Sequence, residues 1–120
     1  MSMKIKSYTD LKQSKKLAEI LPLESADMIY CYTKKGDKLV SPIPIHLTST
    51  PTNTFKYLYC WSLAALLEVI PYPSLHKTYL GWRCDSYNKE GTTCKLGEDK
   101  NNSIDACYEM VLKLHKSNLL

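Results

Sequence analysis

Glycine is scarce in this chain, four in 120 residues, which leaves little room for the Gly-rich loops that cradle phosphates. The sequence also lacks the G-x-S-x-G nucleophile elbow and the H-E-x-x-H zinc motif, so the best-marked enzyme classes are excluded. Long hydrophobic runs are missing too. The longest, Tyr57 to Leu67, covers 11 residues before Glu68 interrupts it, whereas a membrane-crossing helix needs about 20. The five cysteines (Cys31, Cys60, Cys84, Cys94, Cys107) are odd in number and contain no C-x-x-C spacing, which suits reduced thiols packed as small hydrophobes better than a disulfide framework.

Metal and disulfide readings fail on spacing. Structural zinc sites draw paired ligands from one turn, and here the closest pairs are Cys84 with Cys94 and Cys107 with His115. On a helix the latter pair share a face but stand roughly 12 Å apart along the axis. With a four-residue turn at 88 to 91, Cys94 falls opposite Asp85 and one step out of register with Cys84. The histidines His46, His76 and His115 lie in a linker, a loop and a helix end, and no local spacing joins them to a nucleophile. No catalytic residue, metal or cofactor is expected.

What is present is a single domain's worth of chain, 44% hydrophobic with a formal net charge of +4. Residues 1–38 hold eight lysines against five acids, a slight lean toward an anionic partner. Met1 to Tyr8 has neither an apolar segment nor a small-residue cleavage site and so does not read as a secretory leader, which gives a cytoplasmic expectation.

Ser7 and Asp10 resemble a capping box ahead of Tyr8, Leu11, Ala18 and Leu21, predicting a peripheral amphipathic helix from Tyr8 to Leu21 that stops before Pro22. Met28 to Thr33, a turn at Lys34 to Asp37 and Lys38 to Val40 read as a hairpin, with Ser41 to Thr54 as a linker. Tyr57 to Ile70, apolar nearly all round, reads as a buried central helix ended by Pro71. A second hairpin follows, from Thr78 to Tyr87 through Asn88 to Gly91 to Thr92 to Lys95. The last helix is capped by Ser103, with Ile104, Cys107, Met110, Val111 and Leu114 in one stripe and Lys113 and Lys116 near its C-terminus.

The order is thus αββαββα in an α+β domain spanning 1–120. Leu17-Ala-Glu-Ile-Leu-Pro22 also aligns with Leu66-Leu-Glu-Val-Ile-Pro71 at an offset of 49. This suggests an internal αββ duplication, with halves at about 7–45 and 56–96 and a C-terminal helix at 103–117, forming a mostly antiparallel four-stranded sheet packed by helices.

Nine tyrosines and two tryptophans exceed what such a core must hold, and amphipathic aromatics are enriched at protein interfaces. The leading expectation is a non-enzymatic interaction or regulatory module with a protein partner, a homodimer through a sheet edge among the forms it could take. The alternative is a nucleic-acid module in which Tyr30, Tyr32, Tyr79, Trp82 and Arg83 make a stacking face and Lys34, Lys35 and Lys38 neutralise phosphates. Against it, Tyr79 and Trp82 differ by an odd number and point to opposite faces of a regular strand.

The run from Ser7 to Met28, the stretch Trp61 to Pro71 and the closing Asp105 to His115 resemble a family of small uncharacterised proteins met in phages, prophages and other mobile elements of gut bacteria. The resemblance covers most of the chain. No activity attaches to that family, so it carries over no functional residue; it implies a cytoplasmic accessory role and host or phage protein partners.

Overall fold

The computed structural model describes residues 6–32, 43–44 and 56–120. Their elements are α1 (Leu11–Ile20), β1 (Met28–Tyr32), β2 (Ile43–Pro44), β3 (Lys56–Cys60), α2 (Leu63–Val69), β4 (Pro73–Thr78), β5 (Gly81–Tyr87), β6 (Thr93–Lys95) and α3 (Ser103–Lys116), with one 3-10 turn at Leu23–Ser25. The chain is an α+β fold. Its strands form two antiparallel three-stranded sheets, ordered β2-β1-β3 and β4-β5-β6, where a single four-stranded sheet and the order αββαββα were expected.

Two local features account for the difference. The first half of the apolar stretch, Lys56–Cys60, is a strand paired along its whole length with β1, from Met28 opposite Cys60 to Tyr32 opposite Lys56. Tyr-Leu-Tyr-Cys is as good a strand as it is a helix, and Ser62 separates the two states by capping α2, accepting from the Ala65 N–H. The expected strand from Thr78 to Tyr87 is itself a hairpin, because the chain reverses at Tyr79–Leu80 with Thr78 opposite Gly81.

α1 starts three residues later than its sequence suggests. Asp10 is its N-cap, in a reciprocal capping box with Gln13, because Ser7 to Thr9 are drawn off against β3's end. Tyr8 bridges Ser62, and the Thr9 N–H donates to the Trp61 carbonyl at 2.9 Å. In α3 the cap is Asn102, whose side chain accepts from the Asp105 N–H.

The two helix exits that align in sequence do match locally. Leu17 and Leu66 are fully buried, and the C-caps Leu21 and Ile70 both adopt extended backbone while their N–H groups return to Leu17 and Leu66. Beyond the exits the halves differ. The strand after α1 is the middle of its sheet, whereas the strand after α2 is the edge of its own. A 3-10 turn follows the first exit and Tyr72, at φ +42°, the second. The turn at 34–37, the strand at 38–40 and most of the linker at 41–54 lie outside the described residues.

The core lies between α3 and the second sheet and runs on into α1 and α2. Ile104, Cys107, Met110, Val111 and Leu114 are all fully buried, together with Cys84, Leu17, Leu66 and Trp61. Trp61 occupies the junction of the two halves, and its indole N–H donates to Ser25 Oγ at 2.9 Å, so its one polar atom is satisfied on burial.

Candidate functional site

The β4–β5 hairpin holds the most exposed apolar side chains of the described residues. Tyr79 is 102% exposed and Leu80 70%, adjacent at the tip of a two-residue turn. The tip is braced from below. Trp82 exchanges both backbone hydrogen bonds with Lys100 at 2.8 Å, so β5 is clamped at the second residue beyond the turn. Gly81, at φ +145°, stands so close to this clamp that a Cβ there would lie 2.1 Å from the Lys100 carbonyl oxygen. Only glycine fits.

The same bonds fix the phase of the hairpin. Because Trp82 turns its N–H and C=O toward Lys100, its partner Lys77 turns its own away from β5, and alternation does the same for Leu75 and Pro73. Among the described residues β4 is therefore an edge with donors at Leu75 and Lys77 and none at Pro73. Leu75 and Trp82 lie against the core, placing His76 and Arg83, which are cross-strand partners, on the other face.

Behind the tip Asp85 is almost completely buried. Its carboxylate accepts from the Gly97 N–H at 2.8 Å and from Arg83 Nη2 at 3.4 Å. Arg83 Nε, 3.3 Å from the same carboxylate, is close enough for ion pairing but lacks hydrogen-bond geometry. Asp85 thus ties the 96–97 loop to β5, and Arg83 compensates its charge.

A second surface feature lies between the 3-10 turn and α2. A groove of about 410 Å³ has Ala64, Ala65 and Val69 in its lining and Glu24, Asp27 and Glu68 among its acidic groups. Asp27 is held in place by accepting from the Ser62 N–H at 2.9 Å and from the Ser62 hydroxyl. None of the three carboxylates pairs with a basic side chain among the described residues.

Around Thr9 the buried polar groups and the Cys60 thiol bond to one another and to the backbone. Thr9 Oγ1 accepts from the Trp61 N–H at 3.1 Å and shares a 2.8 Å bond with Ser14 Oγ, while the Tyr30 hydroxyl donates to the Thr9 carbonyl at 2.8 Å. Burial pushes the Cys60 thiol and the Tyr30 phenol up. The interaction with Cys84 and burial push the Cys107 thiol up, and the same interaction lowers the Cys84 thiol. A thiol held protonated is a poor nucleophile. No three of His, Cys, Asp and Glu converge to hold a metal among the described residues. No helix among them is long and apolar enough to cross a membrane.

The residues singled out from sequence are dispersed. Tyr30 is buried in the first sheet with its hydroxyl bonded inward, correcting its reading as a surface group. Tyr79, Trp82 and Arg83 belong to the second sheet's hairpin, where Tyr79 is free at the tip, Trp82 packs on the core and Arg83 faces the other way beside Asp85. The stacking face that needed Tyr30 and Trp82 together on open surface is not built. Tyr32's side chain and Lys34, Lys35 and Lys38 lie outside the described residues. Leu80 and the groove were missed; Gly81 inside an apparent strand was the signal for a turn. Compared with protein-family models, curated proteins and solved structures, the chain matches none.

Proposed function

We propose that this chain is a non-enzymatic accessory module that binds another protein through the tip of the β4–β5 hairpin. The carrying observation is the pair Tyr79 and Leu80, both exposed and adjacent on a turn that Gly81 and the Lys100 clamp hold in one shape. An apolar pair held rigid in solvent loses little conformational freedom on binding, so more of its burial appears as affinity. The backbone groups of Leu75 and Lys77 beside it, on an edge strand among the described residues, can extend the contact by strand addition. The four unpaired thiols among the described residues support work in a reducing compartment, consistent with a cytoplasmic role and with the resemblance to mobile-element proteins.

The reading is tested by placing a photo-reactive aromatic amino acid at position 79 and, as a control, at exposed position 116. Irradiation in cells is expected to give a covalent adduct with another polypeptide from position 79 alone. Equal yields from both positions would refute the tip as a binding surface. Salt-dependent retention of the chain on polyanion resin, lost when Arg83 and Lys77 are neutralised, would favour a nucleic-acid role instead.

A further inference from the structure

The tip and the groove are complementary in both shape class and charge. Tyr79 and Leu80 form an apolar knob, and exposed Lys77 beside them takes part in no ion pair among the described residues. The groove carries Ala64, Ala65 and Val69 with the carboxylates Glu24, Asp27 and Glu68. Three acids without a basic partner among the described residues, set around a small-residue apolar surface, are conspicuous on a chain of net charge +4. Each surface supplies what the other lacks.

We infer that the Tyr79–Leu80 tip of one copy docks in the α2 groove of a second copy of this chain, with Lys77 facing the Glu24 and Glu68 carboxylates. This rests on the tip being a binding surface and names its partner. The knob would place Leu80 on Ala64 and Val69 and bring the Tyr79 hydroxyl, a donor, within reach of the carboxylate rim. The two surfaces are different patches of one molecule, so every copy offers one tip and one groove, and the contact either closes reciprocally in a two-fold dimer or runs head to tail until a ring closes. A tip-sized contact is smaller than a standard interface, so the association is weak and concentration-dependent.

A contact between two different patches makes a prediction that a contact between two identical patches does not. In sedimentation velocity at rising concentration, wild-type protein should associate, to a dimer where the contact is reciprocal and past dimer where it runs head to tail. A tip variant, Tyr79→Ser with Leu80→Ser, and a groove variant, Glu68→Lys, should each remain monomeric, their association constants lowered at least about tenfold. Mixed in equal amounts they should form a 1:1 dimer that grows no further, since the mixture holds one intact tip and one intact groove per pair. Glu68 is exposed and near the C-terminus of α2, where a lysine suits the helix dipole, so the groove variant should fold. Lys77→Glu offers a second tip variant, which should bind the Glu68→Lys groove better than the wild-type one.

Self-association that survives Glu68→Lys and is not complemented by mixing, as pairing along the β4 edge would give, overturns the proposal. So does a wild-type chain that is monomeric throughout. A monomer that still yields a position-79 adduct with a different polypeptide overturns self-docking and leaves the tip reading standing. Loss of that adduct as well would sink both.

Discussion

The two sheets of this molecule are built by opposite means. The first, β2-β1-β3, meets its helix through polar groups: Thr9 satisfies the Trp61 N–H, Ser14 and the Tyr30 hydroxyl within one buried cluster. The second, β4-β5-β6, meets α3 through apolar atoms, with Cys84 against a stripe of fully buried residues from Ile104 to Leu114. A polar junction specifies position, because a misplaced donor costs a full desolvation penalty. An apolar junction supplies stability in proportion to area. The division leaves the second sheet free to project a hairpin whose tip the core does not need, and that is where surface is available for binding.

Trp61 sits where the two halves join, and its removal should have the largest effect. Trp61→Ala leaves a cavity at a fully buried site and removes the indole donor to Ser25 Oγ, costing about 4 kcal/mol by chemical denaturation. A cost under about 1 kcal/mol would mean that the halves fold without sharing this side chain.

Thr9→Val tests the polar junction alone. The shape is kept, but the Trp61 N–H loses its acceptor and Ser14 Oγ loses a hydrogen-bond partner, and a loss of about 2 kcal/mol is expected. The equivalent change in the apolar junction, Val111→Thr, should cost a similar amount for the opposite reason, by burying a hydroxyl without a partner. If Thr9→Val is neutral, the contrast drawn between the sheets fails.

A third junction, between the N-terminal segment and α3, is charged. Lys6 Nζ lies 2.8 Å from Asp105 Oδ1, which also accepts from Gln13, while Asn102 donates to Oδ2. Burial alone would raise the Asp105 carboxyl, but hydrogen bonds from Lys6, Gln13 and Asn102 hold it below its ordinary value. Burial would likewise lower the Lys6 ammonium, and Asp105 and Asp10 together hold it above its usual range. A depressed folded-state carboxyl contributes stability that is fully present above the unfolded value of about 3.9 and is lost as pH falls through the folded value. The pair is part-exposed, so Asp105→Asn should cost only about 1 kcal/mol at neutral pH. Its stability should then fall less steeply than wild type on acidification below about pH 4, and equal slopes would refute the assignment.

Much of this architecture was legible, and the illegible parts have definite causes. The α3 stripe could be read because Ile104, Cys107, Met110, Val111 and Leu114 recur at helical spacing and bury one face. The Tyr57 to Ile70 stretch misled because an all-apolar run has no period, and what decided it was pairing with β1, a contact remote in sequence. The Tyr79–Leu80 reversal was hidden because neither residue is a turn former; the turn is imposed by Gly81 and by Lys100, 19 positions on from Gly81. The tip was thus half visible as an isolated tyrosine, and the groove, whose lining comes from two elements, was not visible at all.

The smallest stability effect should fall on the tip itself. Tyr79 and Leu80 are exposed and take no part in the core cluster, and neither has a positive φ that serine would find strained. Replacing both by serine should change unfolding free energy by less than about 0.5 kcal/mol. Trp82→Ala, two residues further along the same hairpin, should cost several times more because that ring packs on the core. Evolution keeps large apolar side chains in water at a cost in solubility and gains nothing from them in folding. A stability-neutral result at 79 and 80, set beside a costly one at 82, would therefore leave binding as the reason these two side chains are apolar. A loss above about 1 kcal/mol at the tip would instead make it a part of the fold, and the distinction between a sheet that is buried and a sheet that projects would no longer hold.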